Sequence, residues 1–235
     1  SYAHHSAHED LLKDGARMDA VRDAIEGNPD MFRGRVVLDI GTGTGILAMM
    51  AARAGAARVI GVECSGIIEL ARRIVTDNGL DGVITLVHGK VQEVELPVDK
   101  VDIIVADWMG YAMVHDSMLE EMLFARDRWL APDGIIIPDR ATLWMMGFEH
   151  REQAKERMTF WDDVYGFNMR CIKKDARKET TCDYLTPESL CTRPCQLRTL
   201  DIYTAKPSDI SFQAPFRLSV SRNDYLTGLV LYFDI

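Results

Sequence analysis

Short runs of branched apolar residues alternate with segments of helical pattern along the first 140 residues. The runs are RVVLDI (35–40), RVIGVE (58–63), VITLVHG (83–89), VDIIVAD (101–107) and GIIIPD (134–139). Each run is apolar on both faces, which is typical of strands buried in a parallel sheet, and the helical segments between them supply the crossovers. The pattern therefore predicts a doubly wound α/β fold.

Helical periodicity accompanies these runs. The segment 7–27 ends at a glycine and carries four apolar residues on one face: Leu11, Met18, Val21 and Ile25. Apolar spacing of this kind, followed by a glycine stop, predicts a single helix there. Two further helices are predicted over 66–78 and 115–129.

The pattern changes near residue 150. A charged and aromatic segment follows, and then come three strand-like runs separated by proline and polar residues: QLRTLDIYTA, APFRLSVSR and TGLVLYFDI. Such runs predict an antiparallel sheet or barrel. The sequence begins at Ser1 and stops inside an apolar run at Ile235, so we expect it to be part of a longer protein.

Composition limits the classes of partner. The net charge of the 235 residues is -9, whereas a general nucleic-acid binder usually carries a basic face. An acidic surface instead favours cationic partners such as Lys/Arg-rich peptides.

No stretch approaches eighteen consecutive apolar residues, so a membrane span is not expected. The five cysteines are odd in number and form no CxxC pair, which favours free thiols in a reducing compartment.

Three glycines follow the first predicted strand at every second position: Gly41, Gly43 and Gly45. Glycines between a strand and a helix let a ligand approach the backbone N–H groups. A dinucleotide site of the G-x-G-x-x-G type requires a glycine at position 46, where this chain has Ile46. The spacing therefore suits an adenosyl ligand without phosphates better than NAD, although a plain tight turn is the alternative.

Glu63 ends the second predicted strand, 22 positions after Gly41. An acid at this point suits hydrogen bonds to both hydroxyls of a ribose, as any adenosine cofactor requires. A surface acid without a role is the alternative. Together with the glycines, Glu63 favours S-adenosylmethionine as the cofactor.

Two more acids lie where such a fold places reacting groups. Asp107 ends the fourth strand-like run, and Asp116 follows nine residues later beyond the aromatic DWMGY segment. Ligands of these sheets bind beyond the carboxyl ends of the strands. Two carboxylates there suit the planar guanidinium of arginine, which pairs bidentately with carboxylates. The alternative is an acid that ends a strand and an aspartate that caps the next helix.

Metal ligation is the weaker interpretation of the histidines and cysteines. His4, His5 and His8 with Glu9 lack the helical HExxH spacing, and the cysteines offer no paired zinc ligands. We therefore expect no metal site.

Several long motifs resemble those of the protein arginine methyltransferases. They run along nearly the whole chain and include SYAH, HEDLLKD, VLDIGTGTGIL, VIGVE, GKVQEVELPVDKVDI, DWMGY, ARDRWLAPDG, IPDRATL, VYGF and RNDY. The resemblance implies a cofactor-capping helix at 1–30 and a Rossmann-like cofactor domain at 31–140. It also implies that residues 141–235 form the first part of a β-barrel domain, with a helical dimerisation arm at about 160–190.

The resemblance also implies roles for individual residues. Asp107 and Asp116 are expected to be catalytic, through the substrate guanidinium. The residues expected to bind S-adenosylmethionine, and its product S-adenosylhomocysteine, are His8, Arg17, Asp39, Gly41, Gly43, Gly45, Glu63, Val91 and Gln92. The expected partners are Arg-rich proteins and a second subunit, identical or paralogous, with nucleic acid reached only through RNA-binding substrates. The expected location is the cytoplasm and also the nucleus.

The chain departs from the family at the acids. The family normally has two glutamates in the substrate loop, and both positions here are aspartate, Asp107 and Asp116; the usual adenine-binding glutamate is Gln92. Two shorter acids predict weakened activity. Two alternatives to an ordinary enzyme therefore stay open: an inactive regulatory subunit that pairs with an active paralogue, and a module that binds Arg-rich peptides without turnover.

Overall fold

The computed structural model describes residues 5–235. Residues 1–4 of the expected capping segment, among them His4, which was considered as a metal ligand, lie outside the described residues. The chain divides into two compact units. Within the described residues, the first comprises residues 5–141, 200–212 and 235, and the second comprises residues 142–199 and 213–234.

A five-stranded parallel sheet forms the centre of the first unit. Its strands are β1 (Val36–Ile40), β2 (Arg58–Glu63), β3 (Ile84–His88), β4 (Val101–Ala106) and β5 (Leu130–Ile137). Their order is β3-β2-β1-β4-β5 and every neighbouring pair is parallel. The predicted doubly wound α/β fold is confirmed, because strands apolar on both faces are covered by helices on each side.

The helices of this unit are α1 (His5–Lys13), α2 (Gly15–Glu26), α3 (Pro29–Phe32), α4 (Ile46–Arg53), α5 (Ile68–Asp77) and α6 (Leu119–Trp129). The prediction of one helix over 7–27 was wrong. Asp14 interrupts it, because its carboxylate accepts a hydrogen bond from the backbone N–H of Arg17 and caps a new helix. The prediction that the last of these helices begins at residue 115 was also wrong by four residues.

The core lies between the sheet and the helices α2 to α4. Ile25, Phe32, Val37, Ala48 and Val59 are all fully buried. Burying a large aliphatic or aromatic side chain of this kind stabilises the fold by about 1.5–3 kcal/mol. The same packing holds β1 and α4 together, and so fixes the glycine-rich connection between them.

The second unit contains a three-stranded sheet of β6 (Arg140–Phe148), β7 (Cys195–Asp201) and β8 (Gly228–Asp234) in the order β7-β6-β8. Between β6 and β7 lie α7 (Arg151–Thr159), α8 (Lys173–Ala176) and several short 3-10 turns. β6 and β8 are antiparallel, with Met145 opposite Leu231. Residues 5–235 thus form an open sheet here and no closed barrel.

The predicted strand over 214–222 was wrong. Only Val220 makes a β-bridge, to Thr192, and two backbone hydrogen bonds join the neighbouring residues. Pro215 is the second residue of this segment, and proline has no N–H to donate to a sheet.

Candidate functional site

Three strand ends meet at the carboxyl edge of the parallel sheet. Ile40 of β1 is level with Val62 of β2 on one side and with Ala106 of β4 on the other. The next residues, Gly41, Glu63 and Asp107, therefore lie side by side at this edge. The chain order reverses between β1 and β4, and such a switch point is where open α/β sheets bind their ligands.

The glycine loop between β1 and α4 has the backbone conformation that only glycine adopts freely. Gly41 has φ +68° and Gly43 has φ +55°, and Gly45 precedes α4 with φ +86°. A side chain at Gly43 would also meet the His8 ring, whose nearest atoms lie 3.1 Å from the position of a Cβ. The loop is therefore a cradle that any substitution at Gly41 or Gly43 strains or fills.

Asp39 lies beneath this loop and is completely buried. Its Oδ2 accepts hydrogen bonds from the Thr42 hydroxyl at 2.5 Å and the Ala48 N–H at 3.0 Å. Its Oδ1 has no hydrogen-bond partner among residues 5–235. Burial raises the pKa of Asp39, the two hydrogen bonds lower it and the Glu63 charge raises it, which together leave the pKa at about 7.

Glu63 is nearly buried and holds the loop from the neighbouring strand. Its Oε2 accepts from the Gly43 N–H at 3.1 Å and its Oε1 accepts from the Ser65 N–H at 2.7 Å. A carboxylate oxygen has more than one lone pair. Glu63 is therefore fixed in place and still able to accept hydrogen bonds from a ligand.

The two N-terminal helices bring His8 and Arg17 to the same edge. His8 of α1 is buried and its ring lies against Gly43. Arg17 of α2 donates from Nη1 to Asp107 Oδ2 at 2.8 Å, and its Nε lies 3.5 Å from Asp14 Oδ2. Burial raises the pKa of Asp107, while the charge and hydrogen bond of Arg17 oppose that rise.

The loop after β4 is tightly folded. Gly110 and Met113 exchange backbone hydrogen bonds of 3.0 Å, and the Met118 N–H donates to the Trp108 carbonyl at 2.9 Å. Asp116 is exposed and has φ +54°, a left-handed conformation that aspartate tolerates better than most residues. Asp107 is thus engaged by Arg17, whereas Asp116 faces solvent.

The remaining predicted residues follow β3. Val91 is buried and Gln92 is exposed, just beyond the strand that neighbours β2. The structure therefore gathers the glycines, Asp39, Glu63, His8, Arg17 and Asp107 around one edge.

Besides the Arg17–Asp107 pair, sequence reasoning missed two contacts. The Thr42 hydroxyl anchors Asp39, and its position between two glycines was an available signal. The Met118 side chain lies against Gly41, with Sδ and Cε 2.9 Å from the position of a Cβ, and nothing in the sequence pattern indicated it.

The described part of the chain contains no group of three or more histidines, cysteines and acids placed to hold a metal ion. Within the same residues, no helix is both long and apolar enough to cross a membrane.

The fold and the site define a class, the Rossmann-like methyltransferases. A family model described as "Methyltransferase domain" matches residues 37–134, and one described as "Arginine methyltransferase oligomerization subdomain" matches residues 139–235. Over all 235 residues the chain is 47% identical to protein arginine N-methyltransferase 8-B of Danio rerio and 47% identical to protein arginine N-methyltransferase 1 of Chlamydomonas reinhardtii. The chain belongs to the protein arginine N-methyltransferase family. It spans 56% of the Danio protein and 68% of the Chlamydomonas protein.

Solved structures agree with this assignment. A chain of the Trypanosoma brucei PRMT1 enzyme-prozyme heterotetrameric complex with AdoHcy superposes with a TM-score of 0.93 at 40% identity, over 99% of this chain and 74% of that one. Arabidopsis thaliana protein arginine methyltransferase 10 superposes with a TM-score of 0.86 at 32% identity, over 99% of this chain and 73% of that one.

Proposed function

We propose that the protein transfers methyl groups from S-adenosylmethionine to the guanidinium groups of arginine residues in other proteins. The observation that carries the proposal is the meeting of the Gly41 loop, Glu63 and Asp107 at one sheet edge. That edge combines a site for an adenosine ligand with a carboxylate that already binds a guanidinium, the one of Arg17.

The residues at this edge fit S-adenosylmethionine. Gly41 and Gly43 have positive φ values that side chains rarely adopt, and glycines at this point of the fold let a ligand approach the backbone closely. In this proposal Glu63 binds the ribose hydroxyls, Val91 and Gln92 bind the adenine, and His8 and Arg17 bind the amino-acid end. When bound, the cofactor supplies an electrophilic methyl group on a sulfonium.

Asp107 and Asp116 are the proposed clamp for the substrate arginine. A guanidinium is a poor nucleophile because its lone pairs are delocalised and its charge is permanent. Carboxylates at its edge concentrate the positive charge on the nitrogens that they hold and aim the remaining nitrogen at the methyl group. Catalysis of this kind consists of alignment and electrostatic stabilisation.

The aspartates support a second candidate, a regulatory subunit. Aspartate is shorter than glutamate by one methylene, about 1.5 Å, and a misplacement of about 1 Å can lower a rate roughly a hundredfold. Asp107 is also engaged by Arg17. The similar Trypanosoma complex contains an enzyme and a prozyme. A module that binds Arg-rich peptides without turnover is the third candidate.

We further propose that the sheet of β6 to β8 begins a β-barrel and that the segment 160–190 is an arm that pairs two subunits, identical or paralogous. The match to an oligomerization subdomain supports this proposal. So do the exposed aromatic side chains of the segment, Phe160, Tyr165 and Phe167. The proposed location is the cytoplasm and the nucleus.

The test is transfer of a radiolabelled methyl group to an Arg-rich peptide, by the full-length protein alone and mixed with a paralogue. Turnover alone supports the enzyme, and turnover only in the mixture supports the regulatory subunit. Peptide binding without transfer under either condition leaves the binding module.

A pair of glycine variants ties any activity to the cradle. Gly43→Ala should abolish binding of S-adenosylhomocysteine and all transfer, because φ is +55° and His8 lies against the new methyl group. Gly82→Ala is the matched control, since no atom lies within 4 Å of its Cβ position. Calorimetry that shows unchanged affinity in Gly43→Ala would refute the proposed cofactor site.

A further inference from the structure

Asp107 is held by a guanidinium of the protein itself. Arg17 and Asp107 are 90 residues apart and lie on different elements, α2 and the end of β4, and they meet at 2.8 Å. Their side chains are 39% and 40% exposed, so solvent reaches both partners. The pair is therefore a tertiary contact that can be exchanged without unpacking the core.

The group that Arg17 presents is the same one that a substrate arginine presents. A substrate guanidinium binds a carboxylate most strongly through both oxygens at once. Arg17 already occupies Oδ2 of Asp107. Arg17 and a substrate arginine therefore compete for this acid.

Arg17 has a second anionic neighbour, because its Nε lies 3.5 Å from Asp14 Oδ2. Its guanidinium thus lies between α2 and the sheet edge, and Asp14 stays within reach when the contact with Asp107 is given up. A carboxylate that enters the edge beside the glycine loop is the natural group to take Arg17 from Asp107.

We propose that Arg17 is an internal occupant of Asp107 and that the cofactor's carboxylate draws it away, so that cofactor and arginine substrate bind with positive coupling. This inference rests on the proposed function, and in particular on S-adenosylmethionine binding at this edge. It implies an order of binding, in which the cofactor binds first and frees Asp107 for the substrate arginine.

The size of the coupling follows from the exposure of the pair. Exposed ion pairs are weak because water screens them, so the effect belongs at the lower end of the usual range for coupled sites, about fivefold in affinity. Coupling is reciprocal, so the peptide raises cofactor affinity by the same factor.

The experiment measures the dissociation constant of an Arg-rich peptide on the full-length protein with three additions. These are buffer, saturating S-adenosylhomocysteine, and saturating 5′-methylthioadenosine, which has the adenosyl thioether but no amino-acid carboxylate. We expect about fivefold tighter peptide binding with S-adenosylhomocysteine and no change with 5′-methylthioadenosine. Equal effects of the two nucleosides, or no effect of either, would overturn the inference.

Variants of α2 provide the matched comparison. In Arg17→Gln, peptide binding without nucleoside should already reach the tighter wild-type value and should not respond to S-adenosylhomocysteine. Arg22→Gln removes an arginine from the same helix, where it pairs with Asp19, and should keep the wild-type coupling. If Arg17→Gln folds poorly, Arg17→Lys replaces it in the comparison. Lysine keeps the positive charge but loses the bidentate guanidinium, so this variant should show intermediate coupling.

The two levels of failure differ. Wild-type protein that binds S-adenosylhomocysteine and methylates the peptide, but shows no coupling, contradicts the inference and leaves the proposed function intact. Protein that does not bind S-adenosylhomocysteine at all contradicts both.

Discussion

At the scale of single residues, Asp39 is the most unusual group of the site. A fully buried carboxylate is costly unless its charge is compensated. Two donors, from Thr42 and Ala48, both reach Oδ2, while Oδ1 has no partner among the described residues. The charged form is thus only half compensated, and the pKa rises from 3.8 to about 7.

Replacement of Asp39 by asparagine should therefore change how stability depends on pH. The folded-state pKa of about 7 lies above the unfolded value of 3.8, so the favourable contribution is complete below the unfolded pKa and is lost as pH rises through 7. Urea denaturation at pH 5 to 8 should show that the free energy of unfolding of the wild type, relative to Asp39→Asn, falls by roughly 2–3 kcal/mol. A constant difference between the two proteins across this range would contradict the raised pKa.

At the scale of elements, the break between α1 and α2 positions the N-terminal part of the site. A continuous helix over 7–27 would fix His8 and Arg17 along one axis. The turn at Asp14 instead lets α1 place His8 on Gly43 while α2 places Arg17 on Asp107. The cap that starts α2 is therefore part of the site's geometry.

Substitutions at Asp14 test this cap. Asp14→Ala removes the hydrogen bond to the Arg17 N–H and should lower the free energy of unfolding by about 1 kcal/mol, as loss of an N-cap usually does. Asp14→Asn keeps an oxygen that can accept the bond, and should retain most of that stability. Equal losses in the two variants, measured by urea denaturation, would assign the effect to charge rather than to capping.

The elements that the sequence predicted well are those with a strong local pattern. Strands such as β2 and β4 are largely apolar on both faces, and an acid marks the end of each, Glu63 in β2 and Asp107 directly after β4, which leaves little ambiguity. The break at Asp14 was missed because apolar spacing continues across it, and the run after Pro215 was misassigned because its partner strand cannot be seen in the sequence. At the site, the glycines and Glu63 were predictable. The Arg17–Asp107 pair was not, because it depends on how α2 packs.

At the scale of the whole molecule, the second unit carries the surface that we propose for assembly. Tyr165 is 98% exposed and Phe167 is 68% exposed, in a turn closed by the Gly166 N–H to Asp163 Oδ1 at 2.6 Å. Large apolar side chains held in an ordered and exposed turn are typical of interaction surfaces. The segment 160–190 therefore has the surface that a subunit contact requires.

The double substitution Phe160→Ser with Phe167→Ser should convert the assembled protein to monomers, as measured by light scattering. We further propose that the arm docks on the cofactor unit of the other subunit, so we also expect at least a several-fold loss of S-adenosylhomocysteine affinity. Val220→Ser is the control, since Val220 is 71% exposed in the same unit but lies outside the arm. A double variant that remains dimeric with unchanged affinity would refute the arm.

The tight loop that follows β4 limits how this site can change in evolution. The Cβ position of Gly110 collides with the carbonyl of His115, and the Met118 N–H closes the loop onto Trp108. An inserted or deleted residue would break these closures, whereas a change of side chain at either acid would not. The positive φ at Asp116 favours aspartate over glutamate in that backbone. Descendants of this sequence are thus freer to alter the reach of the acid at position 107 than at position 116, while the number of residues between the two stays fixed.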